Sequence, residues 1–199
     1  MSQSSQRAKL AIFGVGQISD MVSYYFAKIN RDIECFIVDD KSISSDIFLN
    51  RPIFQIDDFL SGYNPEKVDA FVAISYHEQN TWREKYFGIL GKAGFQFTSY
   101  ISEHAYVEND VIWGENCLIL EGSVIQKTCK IKNNSFIWTG VHIGHHSVIE
   151  ENSFIGSSAV LMGCNIVGRN AHISANVTIK DHLEVSENSY LEPGKVVLE

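Results

Sequence analysis

The 199-residue sequence has little proline, three residues in all, and only four cysteines. Cys35, Cys117, Cys129 and Cys164 fall in no paired spacing of the kind a zinc site uses. Neither a disulfide framework nor a metal site is therefore expected, and a reduced cytoplasmic protein is the simplest reading. Basic runs are absent, and the net charge is −8 with a pI near 5.3. That balance excludes nucleic acid and an anionic membrane surface as expected partners. No apolar stretch reaches membrane-spanning length, and the opening MSQSSQRAKL lacks a hydrophobic signal core. What is present is 45% hydrophobic residues, enough for a packed core in one or two domains.

From Ile101 onward a large apolar residue recurs at every sixth position. The series runs Ile101, Val107, Trp113, Ile119, Ile125, Ile131, Ile137, Ile143 and Ile149, then Ile155, Leu161, Val167, Ile173, Ile179, Val185, Leu191 and Val197. A helix of period 3.6 cannot keep a six-residue stripe on one face, and a simple strand alternates every second residue. A short parallel strand and a corner, repeated, satisfy the pattern, which makes this half a left-handed parallel β-helix of hexapeptide repeats. Four places after most of these residues the side chain is small, as at Ala105, Cys117, Ser123, Cys129, Ser135, Ser147, Ser153, Ala159, Ala171 and Ser189. Asn165, Leu183 and Lys195 break that rule. Cys117 and Cys129 are thus expected as interior filler, not as nucleophiles.

Asn116, Asn134, Asn152, Asn170 and Asn188 recur every 18 residues, which is three hexads. One coil therefore has three sides, with the asparagines stacked at one corner, where asparagine tolerates the left-handed backbone a tight turn needs. Residues 101–199 make between five and six such coils.

The first hundred residues read as a small parallel α/β domain. LAIFGVG is a strand entering a glycine loop, ISDMVSYYFAKI is a helix, and IECFIVDD is a second strand ending at Asp39 and Asp40. A polar stretch, a short helix near IDDFLSGY and the strand VDAFVAI follow. The helix EQNTWREKYFGILGKAG then leads to the strand FQFTSYI. Gly14, Gly16 and Ser19 sit at the three positions of a dinucleotide fingerprint, where glycines allow close approach of phosphate to a helix N-terminus. A redox dinucleotide fold needs two such halves, and one is present. A mononucleotide or nucleotide sugar suits the size better. The expected organisation is a disordered start over residues 1–8, a Rossmann-like half-domain over 9–100 and the β-helix over 101–199.

The GVG loop with VDD, followed by W-T-G-V-H-I-G-H-H-S-V-I and A-V-L-M-G, resembles the sialic-acid O-acetyltransferase and nucleotide-aminosugar N-acetyltransferase family of bacterial surface-glycan pathways. The resemblance implies a homotrimer that uses acetyl-CoA as co-substrate, bound in a groove between adjacent β-helices. It also implies a nucleotide-linked amino sugar held by the N-terminal domain. The family's catalytic histidine matches His145, which would serve as general base in direct acyl transfer. The resemblance further puts the backbone N–H of Gly163 against the thioester carbonyl. The 18-residue period independently stacks His145 over Gly163. His142 joins Gly163 as a candidate CoA contact. In the family the residue after the histidine is usually acidic; here it is His146, so the imidazole's orienting partner is His146 itself, Glu150, Glu151 or a backbone carbonyl.

Candidate substrate contacts are Gly14, Gly16, Ser19, Asp39 and Asp40, with Tyr76, His77, Asn80 and Arg83 at the carboxyl end of a strand. Arg83 is the favoured phosphate ligand. N-acetylation is expected ahead of O-acetylation, because a nucleotide-like domain implies an activated sugar. Two other classes stay open. Trimeric carbonic anhydrases share the repeat, but their histidine spacing is not met by His142 and His146 or by His172 and His182. Some β-helices are non-enzymatic scaffolds. Phe136, Trp138 and Phe154 are expected near the threefold interface.

Overall fold

The structure is a computed structural model that describes residues 9–39, 43, 45–76 and 78–199. The first eight residues, Asp40 and His77 lie outside the described set. Two compact units are present, one ending at Ile74 and including Tyr86–Thr98, the other made of Ser75–Lys85 and Ser99–Glu199.

In the first unit the chain runs β1 (Lys9–Phe13), α1 (Gln17–Lys28), β2 (Ile33–Val38), β3 (Ile47–Phe48), β4 (Arg51–Gln55), α2 (Ile56–Gly62) and β5 (Val68–Val72). The sheet order is β3-β4-β2-β1-β5, with β3 antiparallel to β4 and the other pairs parallel. Because the chain passes β1-β2-β4 on one side and then returns to β5 on the other, the order reverses at the carboxyl ends of β1 and β5. Phe13, Ile37, Phe59, Val72, Leu90 and Phe95 form much of the core.

Three features differ from the sequence reading. The stretch read as polar contains β3 and β4. RPIFQ is short and carries a proline, so its strand state depends on pairing with Phe36–Val38 and not on its own pattern. FQFTSYI is not one strand: Phe97 makes a single bridge to Ala70, and strand pairing resumes at Tyr100–Ile101. The helix before it, α3 (Thr81–Lys92), also starts later than expected, because Glu78, Gln79 and Asn80 adopt φ of 45, 51 and 70°.

The second unit is a left-handed parallel β-helix of two-residue strands, from Tyr100–Ile101 to Val196–Val197, in sheets of six, five and six. Residues pair 18 apart, as Val124 with His142 and Ile125 with Ile143, so one coil is 18 residues. The hexad residues Ile119 through Ile179 are buried in a continuous interior stack. At the ends of the stack burial falls off: Ile101, Val107 and Val197 are half-buried and Trp113 is 43% exposed, since no strand lies beyond theirs on each sheet. Cys117, Ser123, Cys129, Ser135, Ser147, Ser153 and Ala159 are buried beside the stack. Asn165, which breaks the small-residue rule, is also buried, and its amide donates to the Met162 carbonyl while its Oδ1 accepts from the Leu183 N–H. Burial pushes the Cys117 thiol up to about 11 and raises Cys129 as well, which fits filler.

The corner asparagines form a ladder. Asn116, Asn134, Asn152 and Asn170 each donate from Nδ2 to the Oδ1 of the next, at 2.6, 2.6, 2.5 and 3.2 Å, ending at Asn188. All five have φ between 53 and 61°. Segment Ser75–Lys85 of the same unit is laced to this corner. Asn152 donates to the Asn80 carbonyl at 3.1 Å, and Asn80 donates to the Asn170 carbonyl at 3.3 Å.

Candidate active site

His145 lies in the corner between strands His142–Ile143 and Val148–Ile149, with an exposed ring. Its Nδ1 is 3.1 Å from Nδ1 of His146, and the rings stand at 85°. One Nδ1 must carry the hydrogen and the other accept it. If His145 donates, its Nε2 lone pair is free to take a proton from a substrate. Of the possible orienting groups, His146 is thus the one in contact, while Glu150 is paired with Lys132 at 2.7 Å. His146 itself has φ 60°, and its N–H is held by the Lys127 carbonyl at 3.1 Å.

One coil on, Gly163 lies directly against the imidazole. A Cβ there would sit 2.6 Å from His145 Cε1, so any side chain would push the ring away. At its own rung the His145 N–H is capped by Gln126 Oε1 at 3.0 Å. The residue 18 places after Gln126 is Gly144, which has no side chain to repeat that cap. Among the described residues nothing bonds the Gly163 N–H. The corner thus offers a proton acceptor and an unused N–H donor on successive coils. His142, half-buried on the strand leading into the corner, faces outward beside Val124 and Val160.

In the α/β unit Gly14, Gly16 and Asp39 gather at the carboxyl edge of the sheet. Gly14 has φ 117°, and a Cβ on it would meet Ser19 Oγ at 2.7 Å, so glycine is required twice over. Gly16 caps α1 without a side-chain bond. Ser19 is 1% exposed, which removes its side chain as a direct ligand contact and leaves it as packing beneath the loop. Tyr86 donates its hydroxyl to Asp39 at 2.8 Å.

Arg83 and Asn80 require correction as ligand contacts. Both are fully buried. Arg83 lies over the Phe136 ring at 4.4 Å and donates to the carbonyls of Ser75, Asn134, Asn152 and Ser153, so its donors already have protein partners and none faces a phosphate. Burial pulls its pKa down to about 9, which keeps it charged at neutral pH. Tyr76 is exposed and packs on Phe154 and His172, with ring centroids 5.0 and 4.9 Å away.

The aromatic residues expected at a threefold interface have an intrachain role. Leu118, Phe136, Phe154, His172 and Tyr190 follow one another at 18-residue steps on one face of the β-helix. Phe136 is fully buried beneath Arg83, and Phe154 is buried beneath Tyr76. A cavity of about 460 Å³ on this face is lined by Tyr76, Trp138, Phe154, His172, Tyr190 and Pro193, among others. Burial, and then the Arg83 charge, lowers His172 to about 4. In a three-sided coil this face lies opposite the corner that carries His145.

Sequence reasoning missed Gln126, Cys164 and the aromatic column. The 18-residue step identifies all three: Gly144 follows Gln126, Cys164 follows His146, and Tyr190 ends the outward series. Cys164 Sγ is 4.0 Å from His145 Nδ1.

A family model described as bacterial transferase hexapeptide (six repeats) matches residues 128–163 and 146–181. No curated protein matches the sequence. Among solved structures, a histidine-to-asparagine variant of perosamine N-acetyltransferase from Caulobacter crescentus, in complex with CoA and GDP-perosamine, matches with TM-score 0.87 and 20% identity. That match covers 97% of this chain and 90% of the other. The acetyltransferase domain of PglB from Neisseria gonorrhoeae matches with TM-score 0.84 and 20% identity, over 96% and 92%. WeeI from Acinetobacter baumannii matches with TM-score 0.55 and 17% identity, over 96% and 81%. The chain shares the fold of these proteins. Among the described residues no helix is long and apolar enough to cross a membrane.

Proposed function

We propose that this chain, built on bacterial-transferase hexapeptide repeats, is an acetyl-CoA-dependent N-acetyltransferase whose acceptor is the amino group of a nucleotide-linked sugar. The observation that carries this reading is the corner pairing of an exposed His145 with the unused Gly163 N–H. Two proteins of the same fold supply the chemical class: one is a perosamine N-acetyltransferase in complex with CoA and GDP-perosamine, the other the acetyltransferase domain of PglB.

In this reading His145 Nε2 removes a proton as the sugar amine attacks the thioester carbonyl. The nitrogen–carbon bond forms, and the oxygen becomes negative against the Gly163 N–H. The carbon–sulfur bond then breaks, and the departing CoA sulfur takes the proton from His145. His146, as neutral acceptor of the His145 Nδ1 hydrogen, takes the orienting place that an acidic residue fills in the resembled family. The glycine loop, with Asp39, would hold the nucleotide. No single chain can present the aromatic cavity and His145 to one small ligand, since they lie on opposite sides of the coil. A site that uses both needs a second copy, which supports a trimer with CoA between neighbouring helices. Acetyl-CoA and nucleotide sugars as the proposed substrates support a cytoplasmic location.

Thiol release from acetyl-CoA, measured against UDP-, dTDP- and GDP-amino sugars, tests the proposal. Turnover should appear with one of them and fall by about 10²–10⁴-fold in His145→Ala. No turnover on any amino sugar sinks the N-acetyl reading, and undiminished activity in the variant removes His145 as base. Sedimentation as a monomer would overturn the shared site.

A further inference from the structure

The neighbourhood of His145 holds a third group that acyl transfer does not use. Cys164 follows His146 by one coil, and the two share a left-handed φ of 60° at the same corner. One ligating atom from each of His145, His146 and Cys164 lies within 4.8 Å of the other two. The Nδ1–Nδ1 distance is 3.1 Å and the Sγ–Nδ1 distance to His145 is 4.0 Å. Zinc bonds of standard length at tetrahedral angles ask for about 3.4 Å between nitrogens and about 3.6 Å between sulfur and nitrogen. Those two separations need adjustment by under half an ångström, and the Cys164–His146 pair, within 4.8 Å, closes by rotation of the exposed His146 ring.

We propose that His145, His146 and Cys164 form a binding site for a thiophilic divalent metal ion of the zinc class, and that the bound ion withdraws His145 from acyl transfer. The first half stands on the cluster alone; the second rests on the proposed role of His145. Two imidazoles and a thiolate are the donor set that selects zinc over magnesium or calcium. The backbone fixes them relative to one another, since the Cys164 N–H is held by the His145 carbonyl at 2.8 Å. Both histidines are exposed and Cys164 is half-buried, so an ion can enter and a water can complete four-coordination. On binding, the thiol proton leaves to solvent and the sulfur–metal bond replaces the sulfur–hydrogen bond.

Cobalt(II) is the probe, titrated into the full chain under reducing conditions without chelator. One ion per chain should give a thiolate-to-cobalt charge-transfer band that zinc abolishes. In Cys164→Ser the band should vanish and affinity should drop by more than the roughly tenfold that loss of an outer-shell partner costs. Zinc should also slow alkylation of Cys164 in the unmodified protein, a readout that needs no variant. Cobalt binding without the band, or alkylation indifferent to zinc, overturns the site. With turnover established, zinc should inhibit the wild type and leave Cys164→Ser active at concentrations more than tenfold higher. Equal sensitivity of the two overturns the inhibitory half only. Absence of acetyl transfer would show in the thiol-release assay and leave the cobalt result standing.

Discussion

At His145 the notable circumstance is that the orienting neighbour can be neutral, since His146 stands where a carboxylate is usual. A neutral acceptor fixes the ring but stabilises an imidazolium less than a carboxylate would. The φ of 60° at residue 146 suits aspartate, which tolerates the left-handed region. His146→Asp should therefore keep or raise kcat, whereas His146→Ala should lower it by about ten- to a hundredfold. Steady-state kinetics showing equal loss in both variants would remove the orienting role. Gly163 has ordinary φ, so Gly163→Ala should fold, yet its Cβ would collide with the His145 ring. Displacing the base by a fraction of an ångström to an ångström should cost up to about a hundredfold in kcat, with an unchanged melting temperature. Both residues were legible because the 18-residue step relates them directly. Arg83 was not: its partners Asn134 and Asn152 lie 51 and 69 positions away, and a lone arginine after a strand gives no sign of them.

The segment Ser75–Lys85 shows how one element can depend on a few polar bonds. Three successive left-handed residues turn the chain so that Asn80 and Arg83 enter the asparagine corner. Arg83→Met would leave the Ser75, Asn134 and Asn152 carbonyls without their donor and should destabilise by about 3 kcal/mol, read by chemical denaturation. An unchanged midpoint would show that the lacing is dispensable. His172, stacked with Tyr76, Phe154 and Tyr190, brings a pH dependence. Its folded pKa of about 4 is below the ordinary 6.5, so the unfolded chain binds the proton more readily. Stability should be full above about pH 6.5 and decline as pH falls towards 4. His172→Phe should flatten that part of the melting profile relative to wild type, and parallel profiles would contradict it. The column as a whole went unread in the sequence, where only Phe136, Trp138 and Phe154 stood out as aromatic residues expected at a threefold interface; Arg83 and Tyr76 of the same chain lie over Phe136 and Phe154. The period reveals that a face is apolar without revealing what lies on it. Strands β3 and β4 escaped detection for a related reason, because their pairing partners and not their own pattern make them strands.

Across the whole molecule, the repeat made half the chain readable from first principles, while the glycine-loop unit disclosed its edge and little of its ligand. A periodic interior fixes every residue's address by counting; an α/β sheet fixes it by contacts that no count supplies. The constant step also governs how the β-helix comes apart. Each coil closes on its neighbour over the same 18 residues, so the loop entropy is equal at every rung and the interior rungs gain contacts on two sides. Opening should begin at the ends, where Trp113 and Val196 are already exposed, and move inward rung by rung. Amide hydrogen exchange should therefore form a gradient, slowest around Ile137 to Ile155 and fastest beyond Leu191, and uniform protection along the β-helix would show a single cooperative block. Frayed rungs present unpaired backbone, so the terminal coils, and not the corner bearing His145, are where chains would first stick together on heating.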